Sequence, residues 1–185
     1  MGACELPSSP FSIQEIAADW PPGDIAEARE LLLEYGRFVV AQPGAARFCF
    51  GSLEQEAARL PLSYRERGGG CLMARTGAEP AGLPIGFIAW RTAPEPPVPE
   101  MVAPDAWELK RLWVRPAGRG LGLGRALTLA VVDRAVAARR RAIYLDTAPA
   151  AMGAAHRLYL DLGFEPCAPY NDNPVEGLAW LVKFL

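Results

Sequence analysis

The chain has 185 residues, 51% of them hydrophobic and 22% charged, with 19 Lys and Arg against 21 Asp and Glu for a net charge of −2. Such a chain can bury one good core, and its near-neutral balance calls for neither nucleic acid nor an anionic membrane surface as partner. The longest apolar region, around Ala126–Ala138, is broken by Asp133 and Arg134, and Met1–Glu5 has no leader pattern, so neither a membrane span nor a targeting segment is expected.

Residues 1–10, with Pro7 and Pro10, read as an N-terminal tail, and 11–185 as a single domain. Phe11–Ala17 predicts a first, weakly patterned strand. Ile25, Ala28, Leu31, Leu32 and Tyr35 stand at helical spacing, which predicts a helix over Asp24–Tyr35 with Gly36 as its stop. Ser52-Leu-Glu-Gln-Glu56 carries a capping pattern for a second helix that ends before Pro61. Cys71–Arg75 and Ile85–Arg91 are short apolar runs joined by the glycine- and proline-containing segment 77–84, hence a hairpin. The connection 92–106 contains Pro94, Pro96, Pro97, Pro99 and Pro104 and reads as a stiff loop.

A strand over Trp107–Val114 follows, then Arg119-Gly-Leu-Gly-Leu-Gly124, then a helix from Arg125 to Ala138 whose far end is closed by Arg139, Arg140 and Arg141. Ala142–Asp146 is the next strand and Ala150–Leu162 a helix stopped by Gly163. Pro166–Pro169 is short and irregular, Tyr170–Pro174 is a turn, and Leu178–Leu185 is the last strand. The strand–helix–strand unit 107–146 requires a parallel, right-handed crossover, so the fold class is α/β. It has a mixed, mostly antiparallel sheet of six to seven strands with helices on both faces.

Cys4, Cys49, Cys71 and Cys167 are scattered without a C-x-x-C pair, and the chain has one histidine. Disulfides and a metal site are therefore not expected, and the thiols read as those of a cytoplasmic protein.

The glycine run carries the functional argument. A strand that feeds a glycine-rich turn opening a helix leaves backbone N–H groups unpaired at the positive end of a helix dipole, a site suited to phosphate oxygens. Gly120, Gly122 and Gly124 do not fit the spacing of a dinucleotide-binding G-x-G-x-x-G, and no Gly-Lys pair supplies a P-loop. The run does match R-x-x-G-x-G, and the chain resembles the GCN5-related N-acetyltransferase (GNAT) superfamily. Four blocks carry the resemblance in register: Glu108–Pro116, Arg119–Leu127, Ile143–Thr147 and Leu158–Phe164. The terminal Tyr-Asn-Asp-Asn-Pro with its following strand is similar to a small bacterial branch of that superfamily.

The resemblance implies an acetyl-CoA-dependent N-acetyltransferase. The pyrophosphate of acetyl-CoA would sit on the backbone of Arg119, Gly120, Leu121, Gly122, Leu123 and Gly124, with the side chains of Arg119 and Arg125 adding charge-assisted hydrogen bonds. Its pantetheine arm would run along Leu112, Trp113 and Val114 as an added strand. The resemblance implies a bulge near this point, and the parity shared by Trp107, Leu109 and Trp113, which Arg111 interrupts, supports a disturbance of the strand here. A backbone N–H near Leu112 would polarise the thioester carbonyl.

Tyr159 falls at the family position for the acid that protonates the departing thiolate; by spacing alone it is equally a helical tyrosine packed on the sheet. Glu108 is the candidate base that takes the amine proton, its alternative being a strand-end carboxylate paired with Lys110. Asp146 is the second candidate base. Many members carry Asn seven residues before the tyrosine, where this chain has Met152.

The expected acceptor is a primary amine of a small or amino-acid-like molecule, and a sheet edge or the Pro-rich loop offers a surface for a homodimer. The competing expectation is a CoA-binding sensor of the same fold without acceptor turnover.

Overall fold

A computed structural model describes residues 10–42, 50–77, 82–94 and 105–185. Seven strands among these residues form one sheet in the order β1-β2-β3-β4-β5-β7-β6. They are β1 Phe11–Glu15, β2 Gly70–Thr76, β3 Pro84–Thr92, β4 Trp107–Val114, β5 Ala142–Thr147, β6 Glu165–Pro166 and β7 Ala179–Phe184. Every described pairing is antiparallel except β4 with β5, as a strand–helix–strand crossover demands. The helices are α1 Pro22–Val40, α2 Phe50–Ala58, α3 Leu62–Arg65, α4 Leu123–Ala137 and α5 Gly153–Asp161, with a 3-10 turn at Pro116–Gly118. The expected α/β class, with its mixed and mostly antiparallel sheet, is the observed one.

The central strands β2 and β3 read as continuous apolar runs because both of their faces are covered. With side chains alternating along β2, Leu72 and Ala74 meet α4 and α5 through Leu123, Leu127, Val131 and Tyr159. Cys71 and Met73 face the other way, into a second core with Leu31 and Leu32 of α1, Leu53 of α2 and Tyr64 of α3. Burying each such leucine is worth about 1.5–3 kcal/mol, so both faces contribute to holding the helices on the sheet.

The first three helices differ from expectation. Helix α1 runs through Gly36 to Val40 because Leu32, Gly36 and Val39 form one buried stripe; Gly36 is a buried packing position, and the helix ends in a right-handed cap at Ala41. In α2, described from Phe50 onward, Ser52 lies within the helix rather than at its cap. The short α3 has too few residues to show a period in the sequence. Residues 1–9, most of the Pro-rich connection 92–106 and the hairpin tip at 78–81 lie outside the described residues.

The feature that opens a cleft is the pairing of β4 with β5. Only Trp107 with Ile143 and Glu108 with Tyr144 are in register. Beyond Glu108, β4 carries a register shift against β3, and Arg111 has φ +61°. A non-glycine residue with positive φ bends the strand away from its neighbour. The strands part, and the gap opens between the C-terminal half of β4 and helix α5.

Candidate active site

The glycine turn forms the outer end of the gap. Gly120 and Gly122 have φ +76° and +74°, which only glycine adopts without strain, and a Cβ at either would meet nothing within 4 Å. The space over this part of the main chain is therefore open. Helix α4 starts after Gly122 with no side-chain cap, and its first backbone bond is Ala126 N–H to the Gly122 carbonyl. From Gly120 to Arg125, no backbone N–H has a hydrogen-bond partner among the described residues. Arg119 is held by Nε donating to the Val114 carbonyl at 3.2 Å and by its stacking over the Trp113 ring, with centroid distance 5.7 Å.

A cavity of about 510 Å³ runs inward from this turn. Leu112, Trp113, Val114, Arg119, Gly120, Gly122, Leu123, Gly124 and Arg125 line it, so all of the expected cofactor-binding residues meet there except Leu121, which is 45% exposed. Its opposite wall comes from Tyr35 and Phe38 of α1 and from Met152, Ala155 and Leu158 at α5. Met152 precedes the first residue of α5 and adds no polar side chain to that wall.

A second, smaller cavity of about 30 Å³ shares Tyr35, Leu112, Met152 and Ala155 with the first and adds Lys110, Arg111, Asp146, Thr147 and Tyr159. Tyr159 is buried edge-on against Phe164, and its hydroxyl makes no hydrogen bond among the described residues. Burial, with the neighbouring Tyr35 phenol and the Asp146 carboxylate, pushes the phenol above its ordinary range and keeps it protonated. Thr147 is buried, and its Oγ1 has no partner there either.

Glu108 sits beneath this cavity and lines neither space. Its side chain is fully enclosed. Oε2 accepts from Arg91 Nε at 2.6 Å, and Oε1 accepts from Lys110 Nζ at 3.1 Å, the Tyr170 hydroxyl at 3.0 Å and Asn171 Nδ2 at 3.3 Å. Burial alone would raise this carboxyl; Lys110 and Arg91 outweigh it and hold the group ionised below the usual carboxylate range. Asp146, on the cavity wall, accepts from Asn171 Nδ2 at 2.8 Å and faces Lys110 Nζ at 3.5 Å. Its carboxyl too is raised by burial but lowered further by Lys110, Asn171 and Asn173. Thus Tyr159 and Asp146 border one cavity, while Glu108 backs it at one remove. Of the terminal turn, Tyr170 is buried in this network and Asp172 is exposed.

The sequence of residues 27–164 matches the model of the acetyltransferase (GNAT) family. The chain belongs to that family. A curated relative, an uncharacterised N-acetyltransferase of Schizosaccharomyces pombe, is 28% identical over 160 residues, 86% of this chain and 88% of its own. Among solved structures, a Salmonella typhimurium protein with its cofactor acetyl-CoA is 17% identical with TM-score 0.63, covering 95% of this chain and 94% of its own. The PaiA N-acetyltransferase of Thermoplasma acidophilum, in complex with coenzyme A, is 15% identical with TM-score 0.66, covering 95% and 99%. At these identities the solved structures speak for the fold, and the GNAT fold is the one seen here. Among the described residues no helix is long and apolar enough to cross a membrane, and no cluster of metal-binding side chains occurs.

Proposed function

We propose that this GNAT protein transfers the acetyl group of acetyl-CoA directly to a primary amine of a small or amino-acid-like acceptor. One observation carries the reading: a row of unpartnered N–H groups, Gly120 to Arg125, opens into a cleft that ends at a protonated tyrosine and an ionised carboxylate. The unpaired row and the open space over Gly120 and Gly122 fit a pyrophosphate, and the helix dipole adds its positive end. Arg119, already fixed on Trp113, and the exposed Arg125 add charge at the rim. Bound there, acetyl-CoA supplies an activated acyl group that needs no acyl-enzyme.

The chain's own residues then have three tasks. The Leu112 N–H, beyond the last residue in register with β5, donates to the carbonyl oxygen as negative charge develops on it. Tyr159 donates its proton to the leaving sulfur. Asp146 accepts the proton released by the amine, directly or through one water, so that protons balance across the step. Glu108, enclosed by four donors, acts through Lys110 and Asn171 by fixing where Asp146 stands. The place of Asp146 on the cavity wall and the free hydroxyl of Tyr159 favour turnover over a CoA sensor, which needs neither.

The test is thiol release from acetyl-CoA with a panel of amino acids, small amines, aminoglycosides and peptides. An acceptor-dependent signal abolished by Tyr159→Phe supports the reading. Tight CoA binding with no turnover across the panel favours the sensor.

A further inference from the structure

Arg111 lies on the strand that bears the proposed carbonyl-polarising N–H. It takes φ +61°, a bulge conformation that glycine usually fills and that strains any residue with a Cβ. Ala89 is in register with Lys110 and Phe87 with Trp113, so Ile88 alone opposes both Arg111 and Leu112. A regular strand would oppose one residue to one, and Leu112 would then turn its amide the other way. Something must hold the extra residue in place.

That something is α2 and α1. Arg111 Nε and Nη2 donate to the two oxygens of Glu56 on α2 at 3.2 and 3.1 Å, a two-point grip that fixes the guanidinium plane. Both side chains are largely buried, at 16% and 20% exposure. The Tyr64 hydroxyl donates to Glu56 as well, and the guanidinium stands over the Tyr35 ring at 5.6 Å. Burial raises the Glu56 carboxyl, but the Arg111 charge together with the hydrogen bonds from Arg111 and Tyr64 outweighs it and keeps the pair ionised.

We infer that Arg111 is a positioning residue: the Glu56–Arg111 pair, seated on Tyr35 and Tyr64, clamps the β4 bulge so that the Leu112 N–H meets the acyl carbonyl of the bound thioester. The inference rests on the acetyl-CoA reading above. It separates the acyl end of the ligand, which the clamp serves, from the pyrophosphate end, which the glycine turn serves alone.

Calorimetric titration with acetyl-CoA and with coenzyme A tests it without any acceptor. CoA lacks the carbonyl, so only acetyl-CoA reports the clamp. Arg111→Ala is expected to weaken acetyl-CoA about fivefold, the worth of one ordinary hydrogen bond, and to leave CoA within about twofold. Arg111→Gly also loses the ion pair but accepts positive φ freely, so it is expected to lose less than Arg111→Ala. Glu56→Gln, which keeps Arg111, is expected to weaken acetyl-CoA in the same selective way, and thermal melts establish that each variant is folded. Equal losses for both ligands, no loss for either, or Arg111→Gly no better than Arg111→Ala would overturn the clamp. Wild-type protein that binds neither ligand overturns the acetyl-CoA reading itself.

Discussion

Replacing Glu108 by Gln is the sharpest probe of the buried network, because the side chains are nearly the same size and only charge and one acceptor change. Every contact the Glu108 carboxylate makes is with a donor: Arg91 on Oε2; Lys110, Tyr170 and Asn171 on Oε1. A glutamine must therefore aim its NH₂ at one of those donors, whichever way it is turned. The better orientation keeps the oxygen toward Lys110, Tyr170 and Asn171 and sets NH₂ against Arg91. Removing one partner of a buried pair costs about 3–5 kcal/mol. Arg91 is 24% exposed and can swing to water, which puts the cost at the low end, about 3 kcal/mol. At roughly 2–4 °C per kcal/mol for a chain of this size, the melting temperature falls by about 6–12 °C at neutral pH.

The pH dependence gives a second handle. The folded-state carboxyl of Glu108 lies below its ordinary value, so its stabilisation is complete above the unfolded glutamate range, near about pH 4.3, and is lost as pH falls through the folded value. The gap between wild type and Glu108→Gln should therefore be widest near pH 7 and close in acid, where the wild-type group is itself neutral. Asp146 carries a like charge beside Glu108, so the two carboxyls titrate as a coupled pair and the pH profile of the gap reports both. Calorimetric melts across that range measure the gap. A neutral-pH gap under about 2 °C, or one that does not narrow in acid, would refute the argument that this carboxylate is held charged by its donors.

Tyr159→Phe should lower turnover about 100-fold or more while leaving the melting temperature unchanged, since the hydroxyl gives up no internal hydrogen bond; a matching loss of stability would show a structural role instead. Asp146→Asn should lower turnover with little effect on CoA binding in calorimetry, because Asp146 lines the small cavity and not the large one. Thr147→Val removes a buried hydroxyl without a partner and should leave the protein as stable or up to about 1 kcal/mol more stable in denaturant melts. Gly122→Ala has room for its Cβ but not the right φ, so the strain of about 1–2 kcal/mol should weaken CoA about tenfold in calorimetry. Gly124→Ala, whose Cβ would meet Leu158 at 3.4 Å without a φ penalty, should weaken it less.

Much of the fold is legible in the sequence because its signals are local. The alternation along Trp107–Val114, the apolar runs of β2 and β3 and the glycine turn before α4 each lie within a dozen residues, and each element appears where its pattern stands. The interruption of parity at Arg111 is also a local signal, and it marks the bulge that opens the cleft. Gly36 misleads for an equally definite reason. A glycine after an apolar helix reads as a stop, but here the stripe continues through Val39, and tertiary packing outweighs the propensity of one residue.

The site is only half legible, and the division follows from how its two ends recognise a ligand. The proposed phosphate end is made of main chain from one continuous segment, so its N–H groups and their glycines can be read in order. The reacting end is made of side chains brought together from afar. Glu108 meets Arg91, Tyr170 and Asn171 across 17, 62 and 63 residues, and Arg111 meets Glu56 across 55. No spacing rule links such positions. Charge complementarity alone could pair Glu108 with Lys110, two residues away on the same face of β4, and that one contact is the part of the network that the sequence foreshadows. What it cannot foreshadow is saturation. A carboxylate with one cation beside it still has lone pairs to take a proton; with four donors around it, Glu108 is saturated, and in the proposed reading it supports Asp146 on the cavity wall.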